Sequence, residues 1–192
     1  MMNGYEATYV GGNLATCLME TLGGAFALYV KAHGHHWNVM GPDFHEYHGF
    51  FSEIYSDVYG SIDPLAENMR KLGAIAPSSV AQLAMLNPFD ETDCGCDPRA
   101  MCLDLYAANN AMIEMINDAI RCAMQENEQG IANFLAERDD AHKKWRWQLA
   151  SILTEVGVAD SCALCSPRCM CPGSHGGQCN CSSECHCSTC SH

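Results

Sequence analysis

Apolar residues recur along most of this chain at three- and four-residue steps, the repeat of a helix that buries one face. Leu14, Cys17, Leu18, Leu22, Phe26 and Tyr29 share such a stripe and predict a helix over 12–37. Gly41-Pro42 then breaks the chain, with Asp43 where an N-cap belongs. Phe44, Tyr47, Phe51, Ile54, Val58 and Ile62 set up a second stripe. So short a break between two long helices implies an antiparallel hairpin. GAIAP at 73–77 is another break, and SVAQLAMLN reads as a short helix. A polar loop, NPFDETDCGCD, follows at 87–97. Leu105, Met112, Ile113, Ile116, Ile120, Ala123 and Met124 predict a third long helix over 98–126. Ile131, Phe134, Leu135, Trp145, Leu149, Ile152 and Leu153 predict a fourth over 129–157. The expected fold is all-α: a four-helix bundle over 1–157, with a short helix between the second and third long ones.

The pattern stops after Val158. Residues 158–192 have almost no apolar material and cannot fold by burial. Nine of the fourteen cysteines lie there. Cys162/Cys165 form a CxxC, and Cys169/Cys171, Cys179/Cys181 and Cys185/Cys187 form CxC pairs; Cys190, His175, His186 and His192 complete the set. Such thiolate density favours zinc or copper(I), which thiolates can bridge into a cluster. An odd cysteine count leaves one thiol over in a disulfide framework, the other way of ordering the tail.

Charge narrows the partners. The formal net charge is −13, from 23 acids against 10 bases. That field repels DNA and attracts cations. The tail's only basic residue besides histidine is Arg168, so DNA binding is not expected. No apolar run is long enough to cross a membrane. No Lys or Arg precedes Lys31, which argues against a signal peptide. A cytoplasmic protein with reduced thiols is expected.

The hairpin carries the candidate chemistry. His36 ends the first helix and His48 lies just over one turn into the second, so the two imidazoles can meet at the tip. Asp63 and Glu67 are an i,i+4 pair on one helix face. They begin fifteen residues beyond His48, roughly 22 Å along the axis. One chain cannot easily bring both pairs to one metal, but two chains packed antiparallel can. The spacing suggests a site between subunits, with mixed nitrogen and oxygen ligation suited to iron, manganese or zinc. Asp63 has a rival role: Asp-Pro-Leu-Ala-Glu also reads as an N-cap with Pro at the first helical position. Pro64 within a continuous helix should kink it. His33 and His35 read as surface or hairpin-packing residues. Arg138 and His142 fall on the fourth helix's apolar stripe, where they should pair within the bundle or at an interface. No Glu-x-x-His occurs, which argues against an intrachain di-iron centre. Cys94-Gly-Cys96 is too close for an unstrained disulfide, so free thiols or a weak metal site are expected.

The run HHWNVMGPDFHEYH, continuing through Asp63 and AENMR, resembles the Dps or mini-ferritin family, as does EQGIANFLAERDDAHKKWRWQL. The resemblance covers about residues 10–157. It implies a ferritin-like bundle that assembles as a homo-oligomer, a hollow dodecamer. It implies oxidation of ferrous iron, usually by hydrogen peroxide, and storage of the ferric mineral. His36 and His48 would be ligands from one subunit, Asp63 and Glu67 from another, with Trp37 beside the site. It would also place Glu126 and Glu128 at acidic pores; a solvated turn is the other reading. The chain departs from the family in having Ser52 where an acid usually follows the second histidine; Glu53 points about 100° away. The tail loosely resembles a metallothionein. Two functions follow: a ferroxidase and iron store with a metal-binding tail, or a catalytically weakened scaffold that displays a zinc- or copper-buffering tail.

Overall fold

The computed structural model describes residues 13–91 and 94–154. The cysteine tail lies outside the described residues. The elements are α1 (Asn13–Asn38), α2 (Phe44–Lys71), α3 (Val80–Met85), α4 (Pro98–Gln125) and α5 (Gln129–Leu153). α1 and α2 form one hairpin and α4 and α5 the other; α1 packs on α4 to close the bundle, and α3 rests on α1. Each stripe read from the sequence supplies the core. Leu14, Leu18, Leu22 and Leu28 of α1 meet Phe51, Ile54, Val58 and Leu65 of α2. Met101, Leu105, Met112 and Ile116 of α4 and Leu135 and Leu149 of α5 complete the core. Each such side chain stabilises the fold by roughly 1.5–3 kcal/mol through burial. Met124 departs from the reading: it is exposed at the end of α4. α5 runs to Leu153, and residues 155–157, which the sequence reading included in this helix, lie outside the described residues.

The helix ends show why the breaks fall where they do. Asp97 caps α4, its carboxylate accepting from the Ala100 amide at 2.9 Å, with Pro98 in the first turn. Ser79 caps α3 by accepting from the Gln82 amide at 3.2 Å, while the Gln82 side chain accepts from the Ser78 amide at 2.9 Å. In the α4–α5 turn Asn127 adopts φ +60°, and the Glu128 amide bonds back to the Ala123 carbonyl at 2.8 Å. Glu126 serves the fold rather than a free acidic turn: its carboxylate accepts from the Leu14 amide at the start of α1, at 2.8 Å.

Two expectations for α2 are corrected. Asp43 occupies the position before the helix, but its side chain makes no capping bond. Its backbone carbonyl accepts from Tyr47 instead, at 3.2 Å. Helix α2 does not restart at Asp63; it runs unbroken through Pro64 to Lys71. Gly60, whose carbonyl loses its partner to the proline, is exposed to water and has no side chain to crowd the ring. Ser61, Leu65, Asn68 and Met69 are buried along the same segment and hold it in place.

Candidate metal centre

Five residues, 39–43, turn the chain between α1 and α2. Gly41 sits there at φ +130°, a conformation that suits glycine. The turn sets His36 and His48 face to face, with ring centroids 3.6 Å apart and planes 22° from parallel. Each imidazole bonds to the other residue's backbone. His36 Nδ1 lies 2.7 Å from the His48 carbonyl oxygen, and His48 Nδ1 lies 2.8 Å from that of His36. A carbonyl oxygen only accepts, so each Nδ1 carries the proton and donates it. That leaves Nε2 as the nitrogen of each ring open to a metal. Both residues are half-buried. Phe44 stacks on His48 at 4.9 Å, and the edge of Tyr55 meets His36 at 5.2 Å.

Asp63 and Glu67 lie far along α2, exposed, and neither side chain makes a hydrogen bond among the described residues. Asp63 thus has no capping duty. The chain brings the two histidines together and keeps the two carboxylates apart from them. No group of three ligand-type side chains converges at either half among the described residues. Trp37 is 65% exposed and packs on His33, with centroids 4.3 Å apart. Ser52, in place of an acid, donates to the Tyr55 hydroxyl at 3.4 Å. Glu53 is exposed.

An aromatic group beside the histidines is missing from the sequence reading. His33 stacks on Tyr55 at 4.2 Å, and its Nδ1 is 3.2 Å from the Tyr29 hydroxyl. Tyr29 also contacts Tyr59 at 5.2 Å. The i,i+4 spacings Tyr29/His33 and Tyr55/Tyr59 were the available signal. Arg138 and His142 pair inside the bundle, as their stripe implied. Arg138 grips Asp57 through two bonds of 2.9 and 2.8 Å, and the Trp145 indole donates to the same carboxylate at 2.7 Å. Burial pushes the Asp57 carboxyl up, but these donors outweigh it and hold it below the usual carboxylate value. His142 is 1% exposed and donates from Nδ1 to the Asn109 side chain at 2.7 Å. Burial pulls its pKa down to about 4, so it is neutral. Asp139 is engaged by Lys143, with its bond at 2.5 Å, and does not join His142.

Two antiparallel helical hairpins, joined by a long crossover over residues 72–97 that carries a short helix, make the ferritin-like architecture. A family model for the ferritin-like domain matches residues 16–157. A low temperature-induced protein of Nostoc sp. is 30% identical over 139 residues, covering 71% of this chain and 77% of its own. The DNA protection during starvation protein of Brevibacillus brevis is 41% identical over 71 residues, 37% of this chain and 46% of its own. The Dps crystal structure from Vibrio cholerae, described as a member of the ferritin-like diiron-carboxylate proteins, superposes with a TM-score of 0.71 at 25% identity, covering 79% of this chain and all of that one. The chain belongs to the ferritin-like family, in its Dps branch.

Proposed function

We propose that this protein oxidises ferrous iron and stores the ferric product, using hydrogen peroxide as oxidant, at sites shared by two subunits of a homo-oligomeric cage, a dodecamer by family resemblance. The observation that carries this reading is the reciprocal His36–His48 pair. Two imidazoles are fixed in position with Nε2 available, and among the described residues no acid of the same chain completes the set. Asp63 and Glu67, exposed and uncommitted, supply the carboxylates when a second α2 packs antiparallel on the first. Mixed nitrogen and oxygen ligation suits iron. Peroxide accepts two electrons, one from each of two ferrous ions, so oxidation need not release hydroxyl radical. The exposed Trp37 and Phe44 flank the tip and supply apolar surface for the partner. The net charge of −13 favours cation uptake and disfavours DNA contact.

Stopped-flow mixing of the purified protein with ferrous iron and peroxide tests the reading. A ferric absorbance rise well above the buffer rate is expected, and the His36→Ala variant should fall to that rate. A wild-type rise no faster than buffer, or an unchanged His36→Ala rate, would overturn it. Ser52 favours a second reading, in which the cage is a weak oxidase and mainly displays its thiolate tail. In both readings Cys162, Cys165, Cys169, Cys171, Cys179, Cys181, Cys185, Cys187, Cys190, His175 and His186 bind zinc or copper(I). Elemental analysis of full-length and tail-truncated protein separates them: iron should follow the bundle, and zinc or copper the tail.

A further inference from the structure

His35 precedes His36 by one position, so on a helix it faces about 100° away from it. Its Nε2 lies 2.8 Å from Asp104 Oδ2 of α4, and both side chains are only 12% exposed. Lys31, one turn earlier on α1, bonds to Asp104 Oδ1 at 3.0 Å and Oδ2 at 2.9 Å, and to the Asp90 carbonyl at 3.1 Å. A histidine and a lysine on one carboxylate would by themselves be an ordinary ion pair. A third group changes this. Cys94, in the loop leading into α4, brings its Sγ into the cluster, and the three ligand-type atoms all lie within 4.8 Å of one another. The loop is tied down nearby, where the Met40 amide donates to the Cys96 carbonyl at 3.1 Å. A cleft of about 670 Å³, walled by Val30, Leu83, Asn87 and Met101, opens onto His35 and Cys94.

We propose that His35, Cys94 and Asp104 form a second metal site, complete within one chain, for a borderline divalent cation of the zinc type. One nitrogen, one sulfur and one carboxylate oxygen are the donors zinc accepts, and three protein ligands leave a fourth position open to the cleft. Tetrahedral bonds of about 2.0–2.3 Å set ligand atoms roughly 3.3–3.8 Å apart. On binding, Cys94 gives up its thiol proton, and His35 carries its proton on Nδ1 so that Nε2 can ligate. Lys31 keeps its bond to Asp104 Oδ1 and offsets one negative charge. Asp104 is already ionised: burial pushes its carboxyl up, but the bonds from His35 and Lys31 outweigh that and hold it below the ordinary value. The site differs from the His36–His48 half-site in needing no second subunit and in using a thiolate, which selects a softer ion.

The test is an anomalous-difference map at the zinc edge from crystals of the full-length protein equilibrated with micromolar zinc. A peak bonded to His35 Nε2, Cys94 Sγ and an Asp104 oxygen is expected, and it should vanish in His35→Ala. No peak there, while zinc loads at His36 and His48 or elsewhere in the chain, would overturn the proposal. In solution, Cys94→Ser should lower bound zinc by one ion per chain although the nine tail cysteines are unaltered. An equal zinc content in Cys94→Ser and wild type would also overturn it. The map reports the His36–His48 position separately, so failure here is distinguishable from failure of the iron reading.

Discussion

Half-buried Asp57 and buried His142 each make a prediction. Asp57 is gripped by Arg138 and Trp145. Arg138→Ala removes two charge-assisted bonds and should cost about 2 kcal/mol, read as a lower denaturation midpoint. The Asp57 carboxyl is held below its usual 3.8, so its stabilisation is present above that value and is lost as pH falls through the lower folded value. His142 acts in a different window. Its folded value is depressed from 6.5 to about 4, so the unfolded chain binds the proton first. Stability should be unaffected by His142 above pH 6.5 and should fall by about 3 kcal/mol between there and pH 4. Urea midpoints measured across that range check this, and His142→Gln should flatten the slope. Thiol chemistry is also ordered by position. Burial pushes Cys17 and Cys102 up to about 12. Only about 10⁻⁴ of such a thiol is ionised at pH 8. Alkylation of the native protein, followed by mass spectrometry, should label exposed Cys96 well before either.

Helices pack closely where side chains are smallest. A Cβ at Gly23 would overlap Leu86, including its backbone, just past α3. Gly23→Ala should therefore push α3 off α1 and cost about 2 kcal/mol. At Gly24 a Cβ would meet the sulfurs of Met112 and Met115, ends of flexible side chains, so Gly24→Ala should cost less. Calorimetry of the two variants tests the order. The helices themselves were legible because Leu14, Leu18 and Leu22, or Phe51, Ile54 and Val58, repeat at helical steps whatever they pack against. The His36–His48 meeting followed from the length of the break. The course of α2 through Pro64 did not, because it is fixed by burial of Ser61, Leu65 and Met69, a tertiary effect that outweighs the local cap signal. The His35–Asp104 bond spans 69 positions and depends on how α1 lies on α4. Nothing in the local spacing encodes it.

For the whole molecule, the tip and the carboxylate pair are separated along one unbroken helix, by roughly 22 Å at 1.5 Å per residue. In the proposed site neither half holds iron alone, and the charge of −13 makes close approach of two chains depend on specific contacts rather than on general attraction. The same charge predicts no gel shift with duplex DNA at low salt, where a shift would show local basic contacts at work. The separation also has a genetic consequence. On the proposed reading, a chain lacking the His36 imidazole and a chain lacking the Glu67 carboxylate should each be inactive as pure assemblies. When they pair, the His36→Ala chain supplies sound acids to its neighbour's sound histidines. One of the two pockets is then whole and the other carries both defects. Refolded together in equal amounts, the two dead variants should regain about a quarter of wild-type iron oxidation. Sites contained within single chains would regain none.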